Sequence, residues 1–439
     1  MLRLTIVAVA AALLAMLATL EVVGAQAFPP QARTEQGDEI RTLYMVVFIV
    51  AAVVFVAVEI AIVYIIFRYR RRGDALPKQT HGNMMAEVVW TVTPAVIVIA
   101  LFVYSFIILE NVESSPDAGE PVETIDVLGR QWTWAFRYSA ELNTATASVL
   151  PEGEAQSTLA VTNPEAFAEL APFTTSLRID VEHVRLVEVQ EDGIVVDRAI
   201  DGTVAEEHPS GSKIWLLFDG TETRAEERLG GLEEDGVPTP VVTVPIGKTV
   251  RFNLAAVDVI HSFYTPEFLY KLDLVPGRVH AMWVDLNEED VGPEGVYYEG
   301  QCAEFCGREH ARMLFTVHAL PLDAYTEWFD TQLAEALERL KPLPEPPPGA
   351  EPAGEAASAA VGDPVRGQQL FFTNGCNVCH GDQGEGGIGL TIAGTALALE
   401  EVIDQYRNPR DQMPVFPPDV IPDEDIADTY AWLQTLPSQ

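Results

Sequence analysis

The four cysteines of the chain lie in two short segments. The segment "CAEFCGREHARM" (302–313) contains Cys302, Cys306, His310 and Met313, and "CNVCH" (376–380) contains the other two cysteines. A disulfide within either pair would close a very short loop, and such a loop stabilises a fold only weakly. The residue types and their spacing therefore favour metal or cofactor chemistry over structural crosslinks.

The second segment has the C-x-x-C-H spacing of a c-type haem attachment site. In such a site two thiols form thioethers with the haem and the histidine binds its iron, which assigns these roles to Cys376, Cys379 and His380. A redox dithiol or half of a zinc site would share this pattern. A zinc site needs further cysteine or histidine ligands, and residues 381–439 contain neither. The pattern therefore predicts a covalently bound haem.

Elimination also predicts the sixth iron ligand. Met413 is the one methionine that follows Met313, and residues 362–439 contain no lysine. Ligation by histidine and methionine raises the reduction potential of a haem and suits electron transfer. We therefore predict Met413 as the ligand opposite His380.

The first segment offers two thiols, an imidazole and a thioether, which are soft ligands that suit copper. Two neighbouring cysteines are able to bridge two copper ions, and each ion then needs one histidine. His261 in "DVIHSF" is the natural second histidine, with His280 and His318 as alternatives. A structural zinc site of Cys2His2 type is the competing interpretation, although it gives Met313 no role.

Two apolar stretches before these segments predict a membrane anchor. Residues 1–27 resemble a signal peptide that ends in Ala-Gln-Ala, with an additional membrane helix as the alternative. Residues 42–67 and 84–109 are each long enough to span a bilayer, and the basic segment "RYRRRGDALPK" between them predicts a cytoplasmic loop. The rest of the chain is then expected on the outer side of the membrane. A carboxylate in each span, Glu59 and Glu87, indicates a larger membrane partner.

The body of the chain is acidic and rich in predicted strands. Residues 1–110 carry 8 basic and 8 acidic residues, so the formal net charge of −38 falls on the remainder. This balance argues against nucleic-acid binding and favours a basic partner or a saline medium. The stretches 125–138, 241–266 and 278–286 predict strands of a sandwich or barrel. Residues 139–240, with 21 acidic and 6 basic residues, are expected to interrupt that strand pattern.

These features predict a chain of several domains. The composition of residues 336–361, rich in Pro, Ala and Glu, predicts an extended linker. The expected segments are a signal peptide (1–27), a transmembrane hairpin (28–110), a strand-rich metal-binding domain (111–335) with an acidic insertion (139–240), the linker (336–361) and a haem domain (362–439).

Taken together, the motifs resemble subunit II of haem-copper cytochrome c oxidases, in the form that carries a fused C-terminal cytochrome c domain. "HGNMMAEVVWTVTPA" is similar to the start of that family's second helix, and "GRQWTWAFRY" to its aromatic strand. "DVIHSFYTPEFLYKLDLVPGR" followed by "YYEGQCAEFCGREHARM" is similar to its dinuclear copper (CuA) site. The resemblance implies a two-helix transmembrane hairpin, an all-β cupredoxin-like sandwich and a small all-α cytochrome c domain.

The resemblance also implies roles for individual residues. Cys302 and Cys306 would bridge two coppers, His261 and His310 would each bind one, and Met313 would be a weak ligand. Glu304 would bind copper through its backbone carbonyl, while its carboxylate would reach a magnesium or manganese ion at the boundary with subunit I. Trp132 corresponds to the tryptophan through which electrons enter, and Glu87 to a carboxylate at the mouth of a proton pathway.

The implied function is that of an oxidoreductase subunit in a respiratory chain. Electrons from a soluble cytochrome c or a quinol-oxidising complex would pass through the haem and the copper centre to subunit I of a proton-pumping cytochrome c oxidase. The predicted spans contain no histidine, so oxygen reduction is expected in subunit I. The expected location is the bacterial cell membrane, as a multi-pass protein with its large C-terminal part outside. The alternatives are the copper subunit of a membrane nitric oxide reductase, or a membrane-anchored metal-binding or assembly module without a role in turnover.

Overall fold

The computed structural model describes residues 29–70, 82–116, 121–153, 155–172, 175–224, 239–286, 291–341, 362–374, 376, 380, 384, 386, 390–409, 413, 416–418 and 421–436. The predicted signal peptide at 1–27, Cys379 and most of the predicted linker lie outside the described residues. So does most of the basic segment between the two predicted spans.

Two long apolar helices, α1 (Glu35–Arg68) and α2 (Met84–Glu113), open the described chain and contain the predicted spans 42–67 and 84–109. The side chain of Thr34 caps α1 by accepting a hydrogen bond from the backbone N–H of Gly37 at 3.0 Å. Asn83 caps α2 by accepting one from Ala86 at 3.2 Å. At 1.5 Å per residue each helix exceeds the roughly 30 Å of a bilayer's hydrocarbon core.

The first turn of α1 is joined to the strand-rich domain. The backbone N–H of Glu35 donates to the carbonyl of Asp285 at 3.0 Å, and the side-chain amide of Gln36 donates to the Asp285 carboxylate at 2.6 Å. The backbone N–H of Arg33 donates to Glu267 O at 2.9 Å. These bonds fix the N-terminal end of α1 against the strand-rich domain, which contains the predicted metal ligands.

The body of the chain is a sandwich of two sheets. The fifteen strands in the described part of the chain are β1 (Val122–Arg130), β2 (Thr133–Ala145), β3 (Gln156–Ala160), β4 (Ser176–Ile179), β5 (Glu182–Gln190), β6 (Gly193–Asp197), β7 (Lys213–Asp219), β8 (Glu222–Arg224), β9 (Thr239–Pro245), β10 (Thr249–Ala256), β11 (His261–Tyr264), β12 (Lys271–Leu274), β13 (His280–Val284), β14 (Val296–Cys302) and β15 (Leu314–Leu320). One sheet has the order β13-β10-β1-β2-β7-β4-β5-β6-β3, and the other has β12-β11-β14-β15-β9-β8. Helix α3 (Leu322–Arg339) follows the last strand.

Alternation of side chains along the strands places aromatic residues between the two sheets. Trp134, Phe136, Phe263 and Phe315 are each at most 1 % exposed. The rings of Phe263 and Phe315 stack with centroids 4.3 Å apart, and the Trp134 ring meets Phe315 edge to face at 5.2 Å. Trp134 also lies 6.2 Å from the ring of His261, so this rigid core directly supports a predicted metal ligand. The predicted fold class is confirmed.

The stretch 125–138 was expected to form one strand, and the structure corrects this. It contains the end of β1 and the start of β2, which pair with each other in antiparallel register, and Gln131 and Trp132 form the turn between them. The alternating pattern continues through the turn, so periodicity alone did not reveal the reversal of the chain.

The acidic insertion joins the sandwich, although its strands were expected to interrupt the pattern. Strand β7 pairs with β2, β4 pairs with β7, and β5, β6 and β3 follow outward in the same sheet. The insertion has its own buried apolar cluster, which includes Leu159, Phe167, Leu177, Ile194 and Leu216. It is therefore an extension of the sheet that contains β1 and β2.

A buried histidine connects the insertion to the sandwich. The Nδ1 atom of His183 lies 3.1 Å from Asp201, and its Nε2 atom lies 3.4 Å from Asp126 on β1. Burial alone would raise the pKa of Asp126, but Arg178 and His183 lower it to about 2. Burial alone would lower the pKa of His183, and its two carboxylate partners raise it instead. Both ring nitrogens then act as donors.

His208 is held in the same way inside the insertion. Its Nδ1 atom lies 2.8 Å from Asp180, and its Nε2 atom lies 2.7 Å from Glu182. Glu182 is fully buried and also accepts two hydrogen bonds from the guanidinium of Arg198, at 2.8 and 2.5 Å. Burial opposes the charge on His208, but Glu182 and Asp180 raise its pKa.

These pairs predict a pH window for the stability of the insertion. The pKa values of His183 and His208 are raised above 6.5, so their contribution is complete below pH 6.5 and is lost as pH rises through the raised values. Asp126, Asp201 and Glu182 have lowered pKa values, so their contribution to stability is lost at acidic pH, for Asp126 between pH 3.8 and about 2.

Amide hydrogen exchange, corrected for its intrinsic pH dependence, should show faster opening of β4 and β5 from pH 6 to 9. The variant His183→Gln should flatten this slope, and an equally flat slope in the wild type would contradict the prediction.

Three short helices form the described part of the C-terminal segment: α4 (Pro364–Thr373), α5 (Leu399–Arg407) and α6 (Asp423–Leu433). Phe371 on α4 is fully buried against Trp432 on α6, with ring centroids 4.7 Å apart. Gly367 allows close contact between these helices, since a Cβ atom there would lie 1.8 Å from the carbonyl oxygen of Asp428. Cys376 packs against the apolar cluster that these two helices form.

Candidate metal centres

Two strands of the smaller sheet and the loop between β14 and β15 form the first site. His261 begins β11 and Cys302 ends β14, and these strands pair with Phe263 opposite Cys302. Cys306 and His310 lie in the loop that follows. The pairing of β11 with β14 therefore brings a histidine from 41 residues away to the cysteine segment.

The two thiols form the centre of this site. The Sγ atoms of Cys302 and Cys306 are 3.8 Å apart, and the two residues are only 4 % and 3 % exposed. The Nδ1 atom of His261 lies 3.9 Å from the Cys302 sulfur, and the Nδ1 atom of His310 lies 3.6 Å from the Cys306 sulfur. Each sulfur thus has an imidazole nitrogen beside it.

Two further atoms complete the candidate ligand set. The Sδ atom of Met313, a fully buried residue, lies 3.7 Å from the Cys306 sulfur. The backbone carbonyl oxygen of Glu304 lies 3.2 Å from the Cys302 sulfur, while the residue itself is exposed. The structure therefore brings together all six residues predicted to bind metal.

The electrostatics of the thiol pair favour one thiolate before metal binds. Burial alone would raise the pKa of Cys302, but hydrogen bonds from His261 and from backbone groups lower it to about 7. Burial and the neighbouring Cys302 raise the pKa of Cys306 to about 12. Cationic metal is the natural partner for a second thiolate at this distance.

The donor arrangement fits two metal ions better than one. A single tetrahedral ion places its four ligand atoms roughly 3.3–3.8 Å from one another. His261, Cys302 and Cys306 form a group whose ligand atoms all lie within 4.8 Å of each other, and His310 lies outside that group. A pair of thiols with one imidazole on each side and a buried thioether matches two soft cations bridged by sulfur.

The two alternative histidines have other partners. The Nδ1 atom of His280 lies 2.7 Å from the backbone oxygen of Asp273. The ring of His318 stacks on Tyr297 with centroids 4.1 Å apart, and its Nε2 atom lies 3.2 Å from Glu294 O. His261 is the histidine that the fold places beside Cys302.

Trp132 lies at the edge of this site. Its indole N–H donates to the backbone carbonyl of Cys306 at 3.1 Å, and the side-chain amide of Gln131 donates to the same oxygen at 2.7 Å. Gly307 has a φ of +120°, and a Cβ atom there would lie about 3 Å from both Gln131 and Trp132. Glycine at position 307 therefore permits close contact with Trp132, which is half-buried. Gly307 directly follows the candidate ligand Cys306, so Trp132 lies beside the metal site.

Asp258 is a site residue that the sequence did not reveal. Its carboxylate lies 2.9 Å from the Nε2 atom of His261, opposite the Nδ1 atom that faces Cys302, and also accepts a hydrogen bond from the backbone N–H of Gln131 at 2.7 Å. A carboxylate in this position fixes the tautomer and orientation of a ligating histidine. The short spacing in "DVIH" is the one signal that could have identified it.

We expect Asp258→Asn to lower copper affinity by roughly 10–100-fold, because outer partners of ligating histidines typically contribute that much. Competition with a copper chelator measures this directly. Glu188→Gln, an exposed change in the insertion, is the control and should keep wild-type affinity. Equal affinities in both variants would show that Asp258 does not orient His261.

The predicted proton-pathway residue lies at the other end of α2. Glu87 is exposed in the first turn, and its carboxylate accepts a hydrogen bond from the backbone N–H of Asn83 at 3.2 Å. This contact places Glu87 at the end of the helix that is far from the sandwich.

The second site lies in the C-terminal segment. The backbone N–H of His380 donates to Cys376 O at 2.9 Å, and the His380 Nδ1 atom lies 2.7 Å from the carbonyl oxygen of Leu390. Nδ1 is then the donor, and Nε2 is the nitrogen that remains to bind a metal. This orientation fits an axial haem ligand, and Cys379 lies outside the described residues.

Met413 packs against the side of α5 and α6. It contacts the buried cluster of Tyr406, Ile421 and Ile426. The Tyr406 hydroxyl lies 3.9 Å from the Cys376 sulfur, so one side chain touches both the cysteine and the cluster that contains Met413.

Arg407 fixes the chain that follows Met413. Its guanidinium donates to the carbonyl of Phe416 at 2.5 Å and to that of Ile421 at 2.9 Å. The Phe416 N–H donates to Tyr406 O at 2.9 Å. These bonds hold Phe416 and Ile421 against α5.

The fold and the two sites define a class: a membrane-anchored electron-transfer protein with a cupredoxin-like domain and a cytochrome c domain. Three family models match the chain: "Cytochrome C oxidase subunit II, periplasmic domain" over residues 223–320, its "transmembrane domain" over 23–108, and "Cytochrome C oxidase, cbb3-type, subunit III" over 362–433. The chain belongs to the cytochrome c oxidase subunit II family.

Two relatives agree with this assignment. Cytochrome c oxidase subunit 2 of Corynebacterium glutamicum is 30 % identical over 287 residues, which cover 63 % of this chain and 68 % of the relative. Cytochrome c oxidase subunit 2 of Alkalihalophilus pseudofirmus is 24 % identical over 429 residues, 91 % of this chain and 89 % of the relative. A solved structure, the periplasmic domain of subunit II of the Bradyrhizobium japonicum cytochrome oxidase, is also similar to part of this chain. The match covers 51 % of this chain and 99 % of that domain, at 18 % identity and a TM-score of 0.27.

The predicted family, its oxidoreductase class and the fused cytochrome c domain are therefore confirmed. The family implies copper in the cupredoxin-like domain and haem in the C-terminal domain, other oxidase subunits as partners, and a membrane anchor.

Proposed function

We propose that this chain is the electron-accepting subunit of a proton-pumping terminal oxidase. It takes electrons from a donor on the outer side of a bacterial cell membrane and delivers them to the oxygen-reducing subunit I. The observation that carries the proposal is the pair of buried thiols 3.8 Å apart, each beside its own imidazole nitrogen. When bound, two copper ions and one haem c would supply one-electron redox centres.

The residues assigned to the copper site are suited to electron transfer rather than to substrate chemistry. Cys302 and Cys306 would bridge the ions, with His261 and His310 on either side. Cys302, Cys306 and His261 are buried, His310 is half-buried, and the fully buried Met313 closes the inner side. A site without an open coordination position binds no substrate, and a rigid surround changes little when an electron arrives.

The proposal also assigns roles in electron entry, metal binding and proton uptake to three individual residues. Trp132, hydrogen-bonded to the backbone of Cys306, would be the point where electrons enter. The exposed carboxylate of Glu304 is free to reach a magnesium or manganese ion at the boundary with subunit I, while its carbonyl faces Cys302. Glu87, at the helix end far from the sandwich, would lie at the mouth of a proton pathway.

In the C-terminal domain, Cys376 and Cys379 would hold the haem through thioethers, and His380 and Met413 would be its axial ligands. The carbonyl of Leu390 orients His380, and Tyr406 with Arg407 positions the methionine segment. Residues 363–428 carry 12 acidic and 3 basic residues, so a basic external donor such as a soluble cytochrome c is the favoured partner.

Metal analysis combined with low-temperature EPR tests the proposal on the full-length chain, produced with haem maturation and purified in detergent. We expect two coppers and one haem per chain, with a mixed-valence signal from an electron shared by both coppers. Zinc, or one localised copper, would overturn the dinuclear assignment. Copper that exchanges rapidly with a chelator would favour an assembly module, and turnover of nitric oxide instead of oxygen by the assembled complex would favour a reductase.

A further inference from the structure

Glu59 is the one charged residue between Thr42 and Phe67, the predicted span of α1. Its side chain is exposed, and it makes no hydrogen bond or ion pair with any described residue. Carboxylates inside a bilayer are costly and face protein or water rather than lipid. Glu59 therefore needs a partner beyond the described residues of this chain.

Helix geometry prevents Glu59 from reaching the nearest membrane surface. It lies nine residues before Arg68 at the end of α1, which is roughly 13 Å along the helix axis. Side chains on a helix tilt toward its N-terminus, and for Glu59 this is the direction away from Arg68 and into the bilayer. The short side chain of Glu59 cannot reach from its position to the membrane surface near Arg68, whereas a long lysine or arginine side chain is able to extend toward such a surface.

Glu87 shows the contrasting case. It lies in the first turn of α2, where the same tilt carries the carboxylate toward the near end of the helix, and it accepts a hydrogen bond from Asn83. Glu87 is thus accommodated at an interface, whereas Glu59 is not.

The helix surface around Glu59 is uncovered by the described part of this chain. One turn away on either side, Val56 and Val63 are 52 % and 47 % exposed, and Phe55 is 64 % exposed. A chain of this family is one subunit of a larger oxidase, so a helix of another subunit is available to cover this surface.

We propose that a transmembrane helix of another oxidase subunit packs on this face of α1 and pairs a basic side chain, lysine, arginine or histidine, with Glu59. The negative charge of Glu59 requires a positive charge on the partner helix. The depth of Glu59 in the membrane determines the depth at which the two helices meet. The proposal rests on assembly of this chain into an oxidase, and it is independent of the metal ligands, which lie in other domains.

Variants of the affinity-tagged chain in the complete oxidase test the contact. Glu59→Leu should insert normally, because it removes a charge from the span, but should retain several-fold less of the other subunits during purification. Glu59→Gln should lie between Glu59→Leu and the wild type, since it keeps a hydrogen-bonding group. Ile60→Leu, one position around the helix, is the matched control and should behave like the wild type.

A photo-crosslinker locates the partner. Glu59→p-benzoylphenylalanine in the assembled oxidase should give an adduct with a membrane segment of another subunit that contains a basic residue. Wild-type retention of subunits by Glu59→Leu, or irradiation that yields no protein adduct at position 59, would overturn the proposal. Copper and haem content of each variant is measured in parallel, so that failure of the metal assignments is recognised separately from failure of the contact.

Discussion

Cys306→Ser should abolish the dinuclear copper signal and reduce donor-driven oxygen consumption of the assembled oxidase to near background. The Cys306 sulfur lies at the centre of the candidate ligand set, within 3.8 Å of the Cys302 sulfur, the His310 nitrogen and the Met313 sulfur. A serine hydroxyl is a hard, protonated group at neutral pH and does not bridge two soft cations. EPR spectroscopy and copper analysis of the purified variant measure the loss.

Two comparisons separate this effect from misfolding. The haem spectrum of Cys306→Ser should be unchanged, because the proposed haem ligands lie in another domain, and protection of the sandwich core from hydrogen exchange should persist. Met313→Leu, which keeps an apolar side chain of similar size at a buried position, should retain two coppers with an altered EPR spectrum. A mixed-valence signal that survives in Cys306→Ser would contradict the bridging role.

Local spacing explains why most of the copper site was predictable. Cys302, Cys306 and His310 follow one another at intervals of four residues, so a single loop must bring them together whatever the surrounding fold. The second histidine was less certain because it depends on strand pairing. The sequence favoured His261 but left His280 and His318 as alternatives, and the long-range register of β11 with β14 is what selects His261.

The supporting residues were not predictable for a different reason. Asp258 is one of 65 acidic residues, and only the turn before β11 directs its carboxylate to His261. The carbonyl of Leu390 likewise orients His380 through the backbone, so the identity of the side chain carries no signal. Polar partners of this kind are visible only after the loops have been placed.

The insertion shows the limit of strand patterns. Its strands extend the sheet through β2 and β7, and His183 folds the extension back onto Asp126 of β1. Its short 3₁₀ turn at Ile200–Gly202 packs against the end of β10, where a Cβ atom on Gly202 would lie 2.0 Å from Ala256 O. Asp258 lies two residues beyond Ala256, so the insertion buttresses the turn that orients His261. Composition revealed an acidic segment but not this contact.

Met413→Ala should lower the haem reduction potential by a substantial part of the roughly 0.8 V range that axial ligands span in haem proteins. A thioether stabilises ferrous iron relative to ferric iron, and its loss leaves water or a hydroxide as the sixth ligand. Met413 is the one methionine that follows Met313, so the C-terminal domain offers no second thioether to take its place. Potentiometric titration and the charge-transfer absorption of a methionine-ligated ferric haem measure the change.

The exposed Leu397 of the same domain provides the control. Leu397→Ala should keep the wild-type potential and absorption spectrum, whereas Met413→His should restore a six-coordinate haem at a lower potential than the wild type. In the proposed electron route the donor reduces this haem first, so Met413→Ala should also slow donor-driven turnover while the EPR signal of the copper site persists. An unchanged potential in Met413→Ala would mean that the sixth ligand comes from another residue, and Met413 would then serve only to pack α5 against α6.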